Sequence, residues 1–168
     1  LNIKFPGEPL KDNPDFFKFE ESGKIFKRLW KFGGFPEIYL KQDEAELRRW
    51  HNERTDRVIK EDIRDIESIK DISSMQVLVE LLRERASSEL STESLAQDLQ
   101  VSFKTVKKWL DILERFYFIF RIYPFKSSKI RSLRKKPKVY LWDWSEINDE
   151  GKRLENMIAS HLLKFVDY

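Results

Sequence analysis

The sequence predicts a mainly α-helical α+β fold in which a helical region leads into a winged helix-turn-helix and then a terminal amphipathic helix. Two short segments between Leu90 and Leu113 carry helical apolar spacing, each behind a serine placed as an N-cap. Two stretches rich in aromatic and β-branched residues, Phe116 to Phe125 and Lys138 to Asp143, flank a basic loop as the arms of a hairpin would. From about Asn148, Leu154, Met157, Ile158, Leu162, Phe165 and Val166 repeat at helical spacing and form one apolar stripe.

In chain order, residues 1–21 form an irregular leading segment, broken by Pro6, Gly7, Pro9 and Pro14, with a strand expected at Leu1-Asn2-Ile3. Residues 22–70 form a helical linker or lid region. Ile25, Phe26, Leu29 and Trp30 place a helix over Ser22 to Lys31 that stops at Gly33-Gly34 before Pro36. A long helix follows from about Asp43 to Asp65, with a possible break, because Leu47, Trp50, Val58, Ile59, Ile63 and Ile66 make only an imperfect stripe.

The winged-helix domain spans 71–144. Ile72, Met75, Leu78, Val79 and Leu82 give its first helix, which ends in the polar Ala86-Ser87-Ser88-Glu89. Ser91 and Ser102 cap the next two helices. Leu95, Ala96 and Leu99 face inward on one, Val101 fills the turn, and Val106, Leu110 and Leu113 share a face of the other. Residues 145–168 carry the terminal helix of an incomplete domain, whose apolar face needs a partner.

Composition sets limits on function. The 168 residues are 40% hydrophobic, with 13 Phe, 5 Trp and 5 Tyr, enough to build a core at this length. The absence of cysteine excludes disulfides, cysteine-ligated zinc, iron–sulfur clusters and thiol chemistry. His51 and His161 stand far apart in sequence, which argues against a metal centre or a Ser-His-Asp triad. Gly23-Lys24 is followed by Ile25, with Lys18 where a P-loop needs glycine, so no phosphate cradle is encoded. Lacking a long apolar run or a signal peptide, the chain is expected to be cytoplasmic and without a membrane partner.

Overall charge nearly cancels, 32 Lys+Arg against 29 Asp+Glu, but its distribution does not. Residues 90–138 hold 12 Lys/Arg and 4 Asp/Glu, leaving 20 and 25 elsewhere, so this third carries +8 and the remainder −5. Recognition helices present their first turns to base edges, which nominates Lys104, Thr105, Lys107 and Lys108, with Ser102 available to phosphate. The loop contributes Lys129, Arg131, Arg134, Lys135 and Lys136, besides Lys126 and Lys138, as a basic wing. DNA is therefore the expected partner; the alternative is an ordinary solvated face, and Asp111 among the lysines speaks for it.

The carboxylates suggest little chemistry. Glu61, Asp62, Asp65 and Glu67 alternate with Arg54, Arg57, Lys60 and Arg64 in the pattern of an exposed helix. Asp143, between Trp142 and Trp144, fits a turn or capping acid better than a desolvated catalytic one.

Six motifs in fixed order carry a family resemblance. They are Gly33-Gly34-Phe35-Pro36-Glu37, Ile63-Arg64-Asp65-Ile66, Val101-Ser102-Phe103-Lys104-Thr105-Val106, Tyr123-Pro124-Phe125, Lys136-Pro137-Lys138-Val139-Tyr140 and Gly151-Lys152-Arg153-Leu154-Glu155-Asn156. Over about residues 24–160 the chain resembles the C-terminal part of a prokaryotic AAA-like, STAND-related P-loop ATPase family, whose members join an ATPase core to a C-terminal domain of unknown function.

The resemblance implies that ATP and Mg²⁺ belong to an N-terminal half of a longer protein, with no cofactor, metal ligand or catalytic residue in this chain. It implies that Gly34 and Pro36 sense nucleotide in the manner of a Gly-x-Pro motif, where the residues alone indicate a helix stop. It also implies that the helix bearing Glu155-Asn156 opens a nuclease-like domain in full-length relatives. The expected function is non-catalytic: DNA binding coupled to the nucleotide state of the chain's own N-terminal ATPase domain. An intramolecular regulatory or oligomerisation module is the alternative, with homo-oligomers formed through the terminal helix; a fragment of a DNA-cleaving enzyme using Glu155 is a weaker third.

Overall fold

A computed structural model describes residues 19–59, 72–125 and 136–167. The expected strand at 1–3, the motif at 63–66 with its neighbouring carboxylates, and the loop cations between Lys126 and Lys135 lie outside the described residues.

Helix α1 (Phe19–Phe32) ends where Gly33 takes φ +75, a left-handed conformation that glycine adopts without strain. Pro36 then opens a short helix α2 (Pro36–Lys41), and Asp43 caps α3 (Glu44–Asp56) by accepting a bond from the Glu46 amide. Helix α2 was not expected from the sequence. Arg28 ties α1 to it, donating to the carbonyls of Tyr39 and Leu40 while lying 4.1 Å over the Tyr39 ring. The expected long helix gives way to a π-turn at 57–59 that drops Val58 and Ile59 into the core.

From α4 (Ile72–Glu84) onward the order is helix, strand, helix, helix, strand, strand. Strand β1 (Ser88–Glu89) precedes α5 (Thr92–Asp98) and α6 (Phe103–Arg115), and β2 (Ile119–Ile122) and β3 (Lys138–Leu141) follow. The sheet is antiparallel in the order β1-β3-β2, with Ile119 opposite Leu141, Arg121 opposite Val139, and Ser88 also opposite Val139. β1 is a third strand that the sequence reading did not contain, and β3 ends at Leu141 rather than Asp143. After it, a 3-10 turn (Trp144–Glu146) leads into α7 (Glu150–Asp167).

The periods explain the packing. Leu78, Val79 and Leu82 of α4, Leu95 and Leu99 of α5, and Val106, Leu110 and Leu113 of α6 form one buried cluster with Ile119, Val139 and Leu141 of the sheet. The same cluster contains Val58 and Ile59 before α4 and Trp144, Ile147 and Met157 after β3. The sheet's other face carries Phe120 and Tyr140, whose rings stack at 5.2 Å under Ala159, with Trp142 and Leu163 alongside. Helix α7 covers that face, but not with its apolar stripe. Asn156, Met157, Ala159 and Ser160 are buried, whereas Leu154, Ile158, Leu162, Phe165 and Val166 stay exposed.

Candidate functional site

Helix α6 is built to hold its N-terminal turn outward. Ser102 accepts a bond from the Thr105 amide at 3.1 Å, and its hydroxyl meets that of Thr105 at 2.8 Å, so the cap fixes the start of the helix. With Val106, Trp109, Leu110, Ile112 and Leu113 buried, rotation of about 100° per residue leaves Lys104, Lys107 and Lys108 on the solvent side, and all three are exposed. The structure thus brings together Ser102, Lys104, Thr105, Lys107 and Lys108. Of the loop cations expected from the sequence, Lys136 is described and exposed, while Lys129, Arg131, Arg134 and Lys135 lie outside the described residues.

The acid that speaks against an anionic partner is neutralised. The guanidinium of Arg121 on β2 donates to Asp111 Oδ1 at 2.7 Å and to Glu114 Oε2, while the Arg121 backbone amide donates to Glu114 Oε1 at 3.0 Å. Burial disfavours the charged guanidinium, but these carboxylates outweigh it and raise its pKa further. What faces solvent on the first two turns of α6 is consequently positive.

A second, buried polar assembly joins α3 and the α1–α2 turn to the residues after β3. Asp143, 1% exposed, accepts Trp50 Nε1 at 3.2 Å, the Ser145 amide at 3.1 Å and the Ser145 hydroxyl at 2.5 Å. Because that hydroxyl gives its proton to Asp143, His51 Nε2, 2.9 Å away, donates to Ser145, which fixes the Nε2–H tautomer. Proton flow in this trio runs from histidine to serine to aspartate, opposite to the direction that activates a serine nucleophile. Asp143 is both the cap expected from the sequence and a buried acid.

Glu146 lies next to it, bridging Arg54 of α3 and Arg83 of α4. Burial pushes its carboxyl up to about 7 against the pull of both arginines. Burial also lowers the pKa of Arg54, which donates to the Tyr117 carbonyl and sits between the rings of Phe35 and Phe118. Likewise, desolvation lowers His51, opposed by the charge of Asp143.

Gly33 and Gly34 belong to this joint. A Cβ on Gly33 would stand 2.5 Å from Asp143 Oδ1, and one on Gly34 would stand 2.6 Å from the Trp144 ring, whose Nε1 donates to the Leu29 carbonyl. Pro36 is exposed at the surface edge of the same turn. Sequence reasoning found Gly34, Pro36 and Asp143 but not their partners His51, Arg54, Arg83, Ser145 and Glu146. No local pattern links residues some 90 positions apart; the one available signal was the density of charged and aromatic residues on α3.

Glu155 is half-buried and receives Lys138 Nζ at 2.8 Å and the Tyr140 hydroxyl at 2.9 Å. Asn156, fully buried, closes the end of β3 instead, accepting the Leu141 amide at 2.8 Å and donating to the Leu141 carbonyl at 2.6 Å. Among the described residues no cluster of three metal-ligating side chains occurs, and no helix is long and apolar enough to cross a membrane.

A family model described as "Domain of unknown function (DUF8612)" matches residues 23–148. Two proteins of Methanocaldococcus jannaschii are similar to the chain: "Uncharacterized protein MJ1637", 28% identical over 83% of this chain and 32% of its own length, and "Uncharacterized protein MJ1544", 27% identical over 95% and 38%. The chain therefore spans about a third of the length of these curated relatives. No solved structure matches it.

Proposed function

This chain belongs to the DUF8612 family, and we propose that it is the winged-helix, DNA-binding region of a longer cytoplasmic P-loop ATPase, coupled to the nucleotide state of that ATPase. One observation carries the DNA-binding reading. The first turns of α6 expose Lys104, Lys107 and Lys108, while Arg121 neutralises Asp111 and Glu114 behind them. The element order from α4 to β3 supports a winged helix, with the residues between β2 and β3 as the wing and α6 as the helix entering the major groove. Phosphate contacts would come from Lys107, Ser102, Lys136 and the wing cations, and base contacts from Lys104, Thr105 and Lys108.

Coupling follows from the joint. Nucleotide would be sensed at Gly34 and Pro36, and Gly34 touches Trp144, three residues beyond β3, so a displaced turn acts directly on the sheet that holds the wing. ATP and Mg²⁺ would be held by the ATPase core and not by residues of this chain. That role rests on the resemblance of six ordered motifs, and the threefold greater length of the M. jannaschii relatives is consistent with it.

Charge reversal tests the interface. Lys104→Glu with Lys108→Glu is expected to lower affinity for labelled duplex DNA at least tenfold and to flatten its dependence on salt. Unchanged affinity and slope in a folded variant would refute the DNA-binding reading. The buried joint also favours a second reading, a regulatory module that docks its lysine face on an acidic surface of the ATPase core. There the same substitutions would alter the ATPase rate of the full-length protein and leave DNA retention as it was.

A further inference from the structure

Phe103 is the first residue of α6, directly after the Ser102 cap. It is 47% exposed, whereas every other apolar residue of that helix is buried. Unlike tyrosine or tryptophan, a phenyl ring has no polar edge to offer water, so apolar surface that a partner lays over it is removed from water at a gain. Lys104 adjoins it, and Lys107 stands one turn on along the same side, both exposed. An apolar ring thus sits at the base-reading end of the helix, beside exposed cations suited to an anionic partner.

The apolar group that a duplex displays in its major groove is the C5-methyl of thymine. We propose that Phe103 is a specificity-determining residue, packing on a thymine methyl while Lys107 engages phosphate. This rests on the DNA-binding reading and adds to it a preference for A·T pairs at the start of the recognition helix. The lysines themselves favour guanine edges or phosphate, so the methyl contact is a separate source of selection.

The test uses the full 168-residue chain and two labelled duplexes of equal length, alternating dA-dT and alternating dA-dU, which differ in the thymine methyl. Wild type is expected to bind the dA-dT duplex about fourfold more tightly for each methyl covered, the value of one buried carbon. Phe103→Ala brings the ratio to about one while keeping the salt slope, since no charge is lost; Phe103→Leu, still apolar, retains most of the preference. Equal binding of both duplexes by wild type, or a preference that survives in Phe103→Ala, would overturn this inference alone. Failure to bind either duplex at about 50 mM salt would overturn the DNA-binding reading and this inference with it.

Discussion

Asn156 holds the end of the central strand as a neighbouring strand would, by a paired contact to both backbone groups of Leu141. Replacing it with alanine leaves a buried amide and a buried carbonyl without partners, since Leu141 is 1% exposed and Asn156 fully buried. Each orphaned group costs about 1–3 kcal/mol, so Asn156→Ala is expected to destabilise the protein by about 2–5 kcal/mol. Against a total near 5–15 kcal/mol this is a large share, and at this chain length it lowers the melting temperature by about 5–15 °C. Urea unfolding followed by tryptophan fluorescence reads it directly, because Trp142 and Trp144 follow the strand. Asn156→Asp should lie close to alanine: its carboxylate still accepts from the amide but repels the carbonyl. A loss below about 0.5 kcal/mol in both variants would refute the pairing.

Three further outcomes follow from the same contacts. Gly34→Ala forces the Trp144 ring to move, since the new carbon would lie 2.6 Å from it, and should cost about 1–3 kcal/mol in thermal unfolding; a neutral result would show that the joint yields freely. His51 has a pKa lowered by burial, so the unfolded state binds the extra proton: its stabilising contribution is full above about pH 6.5 and is lost as pH falls through the folded pKa. An NMR titration of the His51 ring should give a midpoint below 6.5, and a midpoint at or above that value contradicts its burial as a neutral donor to Ser145. Arg121→Gln releases Asp111 and Glu114 to the lysine face and should weaken DNA binding several-fold in filter retention, while Arg115→Gln should do so less; equal effects would deny Arg121 its neutralising role.

The local order was legible because it is set by short-range chemistry. Ser91 and Ser102 each stand at the start of a helix where unpaired first-turn amides need acceptors, and Val106, Leu110 and Leu113 at helical spacing identified the buried side of α6. Two elements were too short to leave a periodic signal: α2, with six residues, and β1, with two. For α7 the period was right and the conclusion incomplete. A stripe of Leu154, Ile158, Leu162 and Phe165 marks a helix face, but tertiary pairing at Leu141 turned Asn156 and Ser160 inward and left the stripe outside.

The buried joint was the least visible part of the candidate site. Arg54 reads in sequence as an ordinary surface charge, and only its convergence with Glu146, 92 positions away, buries the two together. Asp143 shows the opposite case: its place at a strand end suggested a turn or capping acid, and it caps the next turn at the Ser145 amide, while its burial was the less favoured reading. The neutralising contact on Asp111 likewise needed the β2 strand to bring Arg121 alongside α6.

Affinity of the 168-residue chain for labelled duplex DNA at about 50 and about 200 mM salt tests the central claim most directly, because each phosphate contact contributes about −0.9 to the logarithmic slope. Lys107 and Lys136 alone predict a slope of about −2, so micromolar or tighter binding at the lower salt should weaken at least about tenfold at the higher, and more steeply for each further phosphate engaged. No binding at the lower salt, or binding that ignores salt, would contradict the account and leave the helix-turn-helix as a scaffold of the longer protein.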